Sequence, residues 1–298
     1  MSDPSSQSSP SAVSTWSRLK VSLIPPWLLV VIAIVSVQVG AGMAKSLFPV
    51  AQPTGVVLLR TAIAAVMFWL VWRPKLAGHS RRSWLLVTCY GVNLAAMMLS
   101  FYLAIDLIPL GVSVAIAFAG PLTVAVIGSR RPLDFVWVVV AAVGILLLSP
   151  FTNEALDPIG VGLAVFSAIM WGTYVYLSRI VGKTFRGSDG LTISMTIAAI
   201  VSIPTGLGGA VSTLIRPDLL LLTLAVAFFS SAVPFALEFA AAQRLKPRVF
   251  SMLLSLEPVI ATIVGALFLA QNLKVQEIIG VALVTIAAAA SSSHTQEQ

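Results

Sequence analysis

The sequence predicts an all-α, polytopic membrane protein, with ten transmembrane helices forming two inverted five-helix repeats. Three observations predict it. Of 298 residues, 58% are hydrophobic and 10% charged, where a soluble domain carries about 25% charged residues; the mean hydropathy is +0.99. Apolar stretches of about membrane-spanning length alternate with short connections that hold most of the cations. Finally, the second half of the chain aligns weakly with the first.

The elements follow in order. Residues 1–24 open Ser/Pro-rich and without apolar periodicity, so they are expected to be a disordered cytoplasmic tail. Spans are then expected near 27–44, 55–72, 84–105, 110–128 and 134–149, within a first repeat at 25–150. A second repeat at 151–290 carries spans near 159–178, 191–210, 219–242, 249–270 and 276–290. Residues 291–298 are expected to be a short cytoplasmic tail, too polar to fold. The first span mimics a signal peptide, with Arg18 and Lys20 ahead of it. Nine further spans favour a retained helix.

Cations set the orientation. With the N-terminus inside, fourteen of the eighteen Lys and Arg fall in the tail and in the 73–82, 130–131, 179–186 and 244–248 connections. Lys45, Arg216 and Lys274 fall on the other side, and Arg60 lies within the second span. Such asymmetry predicts both termini in the cytoplasm. It also removes nucleic acid as a partner, because the net charge of +7 is spread over separate short loops. The single Cys89 excludes a disulfide framework.

A shift of 137 places Pro121 on Pro258, Gly128 on Gly265 and Ala104 on Ala241, and sets Asn93 against Ser230. A shift of 131 places Ser36 on Ser167. Each half holds an odd number of spans, so the second enters the membrane from the opposite side. Inverted repeats characterise secondary transporters, whose sites lie near the bilayer midplane between the repeats.

Buried polar groups are then placed by depth. At about 1.5 Å per residue, Gln38 lies roughly 18 Å, Asn93 roughly 15 Å and Glu257 roughly 13 Å from the inner face, with Trp171 about 19 Å from the outer. Glu238 lies nearer the cytoplasm. Intramembrane carboxylates face a bundle interior or a wet cavity and mark substrate or proton paths, which singles out Glu257 and Glu238. Pro258 beside Glu257, and Pro121 in the fourth span, are expected to be related hinges. Gln38, Asn93, Trp171 and Tyr174 are expected to shape a pocket, with Arg60 attracting a substrate carboxylate. Each has a structural alternative: interhelical hydrogen bonds for Gln38 and Asn93, packing for Trp171 and Tyr174, snorkelling for Arg60, and the aromatic belt for Tyr102.

The residues "AKSLF" (44–48), Arg60 in "LLRTA", "SRRPLDFVWVVVA" (129–141), Glu238 in "VPFALE" and "SLEP" (255–258) carry a family likeness. From about residue 25 to 290 the chain resembles the drug/metabolite transporter superfamily, and within it the threonine/homoserine exporter branch of EamA-type carriers. The resemblance implies a ten-helix inverted-repeat fold in a bacterial inner membrane, both termini inside, and proton-driven export of small amino acids. Two positions depart from it: Ala117 in "AIAFAGP" stands where relatives can carry Glu, and Ala270–Gln271 where many carry Gly-Glu.

An enzyme is disfavoured, since His79 and His294 lie outside the spans and leave no metalloprotease ligand set. No ring of like charges marks a channel. A multidrug or other metabolite carrier of the same fold remains the alternative to an amino-acid antiporter. No cofactor or metal is expected. The expected partners are a small substrate, protons and lipid, with the chain a monomer or homodimer.

Overall fold

The computed structural model describes residues 24–127, 132–147, 156–185, 188–242, 244–245, 253–271 and 274–294, and among these it is entirely helical and irregular, without strand. Helix α1 spans Pro26–Lys45 and opens on a proline, tolerated there because first-turn N–H groups have no intrahelical acceptor. Helix α2 (Phe48–Trp72) is broken near its start. Gln52 has φ 56 and ψ 160, and Pro53 follows it; a residue before proline is driven away from the α conformation. The 46–54 stretch, expected to be a connection, therefore contributes a short helical turn ahead of the span.

Helix α3 (Arg81–Leu107) is capped by Ser80, whose Oγ accepts from Ser83 N–H at 3.2 Å. Helices α4 (Leu110–Ile127) and α5 (Pro132–Leu147) follow. Asp157 caps α6 (Pro158–Thr184), accepting from Ile159 N–H at 2.7 Å and Gly160 N–H at 3.1 Å. After α7 (Asp189–Leu214), the chain runs through α8 (Pro217–Ala227), a π-helical turn (Phe228–Ala232) and α9 (Val233–Ala242). Helix α10 is Glu257–Leu269 and α11 is Val275–His294.

Among the described residues, six helical runs are long and apolar enough to cross a bilayer: α1, α2, α3, α6, α7 and Pro217–Glu238. Leu110–Thr123, Glu257–Leu269 and Val275–Ala287 are shorter apolar helices. Two expectations change. The 249–270 span is not continuous helix: Ser255 and Leu256 form a turn, and α10 begins at Glu257 with Pro258 in its first turn. Residues 291–294 are not tail but the last turn of α11. Residues 1–23, the 128–131 and 148–155 connections, 186–187 and 246–252 lie outside the described residues.

Close packing joins the early helices to the late ones. α2 packs most extensively on α7, α3 on α6, α5 on α11, and α1 on α9. A Cβ on Gly55 of α2 would lie 2.8 Å from the Gly209 carbonyl carbon of α7, so the backbones meet there without side chains between them. Gly40 of α1 allows a similar approach to the π-helical turn, since a Cβ there would lie 2.5 Å from Ser230 N. The largest buried cluster draws residues from α1, α2, α3, α4, α7, α8 and α10.

Candidate functional site

The π-helical turn organises the first part of the interior. Hydrogen bonds reach one residue further in such a turn, so local carbonyls lose their usual helical donors. Phe229 O accepts from Ser36 Oγ at 2.8 Å, and Ser230 O accepts from Arg60 Nη2 at 2.7 Å. Arg60 Nε also donates to Ser231 Oγ at 3.1 Å, and the guanidinium carbon sits 4.8 Å from the Tyr102 ring centroid. Arg60 is 6% exposed. It does not snorkel; it bridges α2 to the π-helical turn. Tyr102 is not a belt residue either, being fully buried with its ring 6.0 Å from that of Phe48.

The second part lies around the two carboxylates. Glu257 is buried in the first turn of α10, where the helix dipole favours negative charge. Glu238 of α9 is half-buried and lies within electrostatic reach of Glu257 and of Tyr174. Tyr174 of α6 stacks on Tyr90 of α3, ring centroids 5.3 Å apart. One group of side chains from α3, α6, α9 and α10 thus combines two acids with a pair of phenols.

Asn93 donates from Nδ2 to Met170 O at 3.0 Å, so its amide ties α3 to α6. Trp171, next in the chain, meets Phe118 of α4 edge to face at 5.6 Å. Gln38 is buried on α1. Of the two expected hinges, Pro121 lies inside α4, while Pro258 stands in the first turn of α10, just after the break.

Ser36 and Ser167 each donate to a carbonyl of a helix from the other half, Phe229 and Met97 respectively, the latter at 3.2 Å. Sequence reading passed over Tyr90 and Ser231, and used Ser230 only as the alignment partner of Asn93. The adjacent serines in "FFSSAV" were the available signal, polar residues in a run where each needs a partner.

No group of three or more His, Cys, Asp or Glu suited to a metal occurs among the described residues. Apolar helices around buried charged and aromatic groups define a multi-pass membrane protein with a polar interior. The sequence comparisons then place it. Residues 158–293 match the EamA-like transporter family. The threonine/homoserine exporter RhtA of Salmonella typhimurium (strain LT2) is 38% identical over 282 residues, covering 93% of this chain and 94% of that protein. RhtA of Escherichia coli (strain K12) is 39% identical over 258 residues, covering 84% and 86%. The chain belongs to the EamA-like transporter family. A solved crystal structure, 16% identical, aligns with a TM-score of 0.58 over 88% of this chain and 95% of its own, a likeness of fold alone.

Proposed function

We propose that the protein exports small amino acids of the threonine/homoserine type across a bacterial inner membrane, in exchange for protons. The likeness over nearly the whole chain to exporters of that substrate pair carries the reading. The interior supports it: two acids near one another can hold a proton or the ammonium group of a substrate, and competition between the two is the elementary requirement of antiport. Glu257 is the coupling residue, with Glu238 as relay. Gln38, Asn93, Trp171 and Tyr174 shape the pocket, and Arg60 attracts the substrate carboxylate. The protein is a carrier rather than an enzyme.

The architecture proposed with this function is ten spans in two inverted repeats, 25–150 and 151–290, with both termini cytoplasmic. α1 to α7 are the first seven spans, α8–α9 the eighth, α10 the ninth and α11 the tenth. The packing supports a two-fold relation that exchanges each span with the one five later. The second packs on the seventh, the fourth on the ninth and the fifth on the tenth, while third-on-sixth has its counterpart in eighth-on-first. Flux of labelled threonine and homoserine in proteoliposomes, set against a bulky cationic dye, tests the function. Saturable amino-acid flux without dye flux is expected. Dye flux without amino-acid flux would make the protein a multidrug carrier.

A further inference from the structure

Arg60 is a buried cation that no described carboxylate pairs. Among the described residues its bonds go to Ser231 Oγ and Ser230 O and its face to the Tyr102 ring; Nη1 has no partner, and no carboxylate pairs with it. A charge in a low-dielectric interior is costly unless it is paired. Two further groups beside it are also unsatisfied. The Tyr102 hydroxyl and Ser230 Oγ are buried and have no hydrogen-bond partner in the structure, although Tyr102 is fully buried and Ser230 is 1% exposed. Buried polar atoms almost always find partners, so two orphaned hydroxyls beside a guanidinium with a free nitrogen call for an occupant.

A carboxylate meets the chemistry of all three. Guanidinium donors match its oxygens, and hydroxyls donate to the same lone pairs. We propose that Arg60, Tyr102 and Ser230 form a binding site for the carboxylate of the exported amino acid, separate from the acids at Glu238 and Glu257. This site rests on the amino-acid exporter reading. The π-helical turn holds two of the guanidinium's nitrogens, which fixes the orientation of the third. Ser231 and Glu238 are seven residues apart on one helical run, about 10 Å along its axis. The two regions therefore act as successive stations, one for the ammonium group and one for the carboxylate. A cation that lacks a carboxylate finds only the first.

The test is equilibrium binding of labelled threonine to the purified full-length protein, competed by unlabelled threonine or by its amino alcohol, in which the carboxylate is reduced to a hydroxymethyl group. The wild type is expected to be competed by threonine alone. Tyr102→Phe keeps the ring under Arg60 and removes one donor to a charged group, so threonine binds about ten-fold more weakly. Arg60→Gln should lose the preference for threonine over the amino alcohol. Unchanged threonine affinity in Tyr102→Phe, or equal competition by the amino alcohol in the wild type, overturns the site. A wild type that binds neither threonine nor homoserine removes the exporter reading, and the site with it.

Discussion

Single side chains connect the two halves through hydrogen bonds to backbone carbonyls. Ser36 and Ser167 do so from positions that the sequence alignment already pairs. Interhelical hydrogen bonds in membrane proteins contribute about 0.6 kcal/mol on average. Ser36→Ala and Ser167→Ala should each destabilise by about that amount. The double variant should be additive, because the two bonds share no partner. Unfolding equilibria in mixed micelles measure this, and a loss of several kcal/mol from one serine alone would contradict their equivalence. Asn93 illustrates the limits of sequence reading. Its depth was legible, but its partner is a backbone carbonyl, Met170 O, which no side-chain pattern announces. For Arg60 it is the snorkelling alternative that gives way. Its reach to an interface was a sound argument from side-chain length, but the π-helical turn offers it a carbonyl and a hydroxyl at closer range.

At the scale of the element, breaks in helices set the site. Proline signals the breaks at Gln52–Pro53 and at Leu256–Glu257–Pro258. The π-helical turn, Phe228–Ala232, contains neither proline nor glycine itself, but Pro234 follows in α9, and its missing N–H leaves Ser230 O without the usual helical donor. Gln52 occupies a backbone region that is nearly restricted to glycine, at a cost of about 1–3 kcal/mol. Gln52→Gly should therefore raise stability by about 1 kcal/mol, the relieved strain exceeding the added unfolded-state entropy. A lower unfolding temperature for that variant would show the strain to be absent. Pro258→Ala restores a backbone donor at the start of α10 and favours continuous helix across Leu256. Transport should slow at equal expression, since the proposed hinge stiffens. Flux equal to wild type would remove Pro258 from the conformational cycle.

At the scale of the molecule, the fold class was legible because bilayer insertion demands long apolar runs, and these dominate the sequence. What was not legible is which faces meet. Nearly uniform hydrophobicity around helices such as α1 gives no stripe to point inward, so small residues decide the contacts instead. Gly55 against Gly209 and Gly40 against Ser230 are examples. The proposed orientation makes a direct prediction. On a Cys89→Ser background, the introduced thiol of Ala77→Cys, at an exposed position of the 73–82 connection, should resist impermeant reagents in intact cells and react in inverted vesicles. Labelling in intact cells would reverse the topology.

The proposed coupling of proton to substrate depends on Glu257, in the first turn of α10 and within electrostatic reach of Glu238. Glu257→Gln keeps the size and hydrogen bonding of the side chain but cannot release a proton. The decisive measurement is threonine efflux from proteoliposomes against an imposed pH gradient, for the wild type and for Glu257→Gln reconstituted at equal density. Wild-type efflux should accelerate with the gradient, and the variant should show no gradient-driven component. Gradient-driven efflux from Glu257→Gln at the wild-type rate would contradict the coupling role of Glu257 and move it to Glu238.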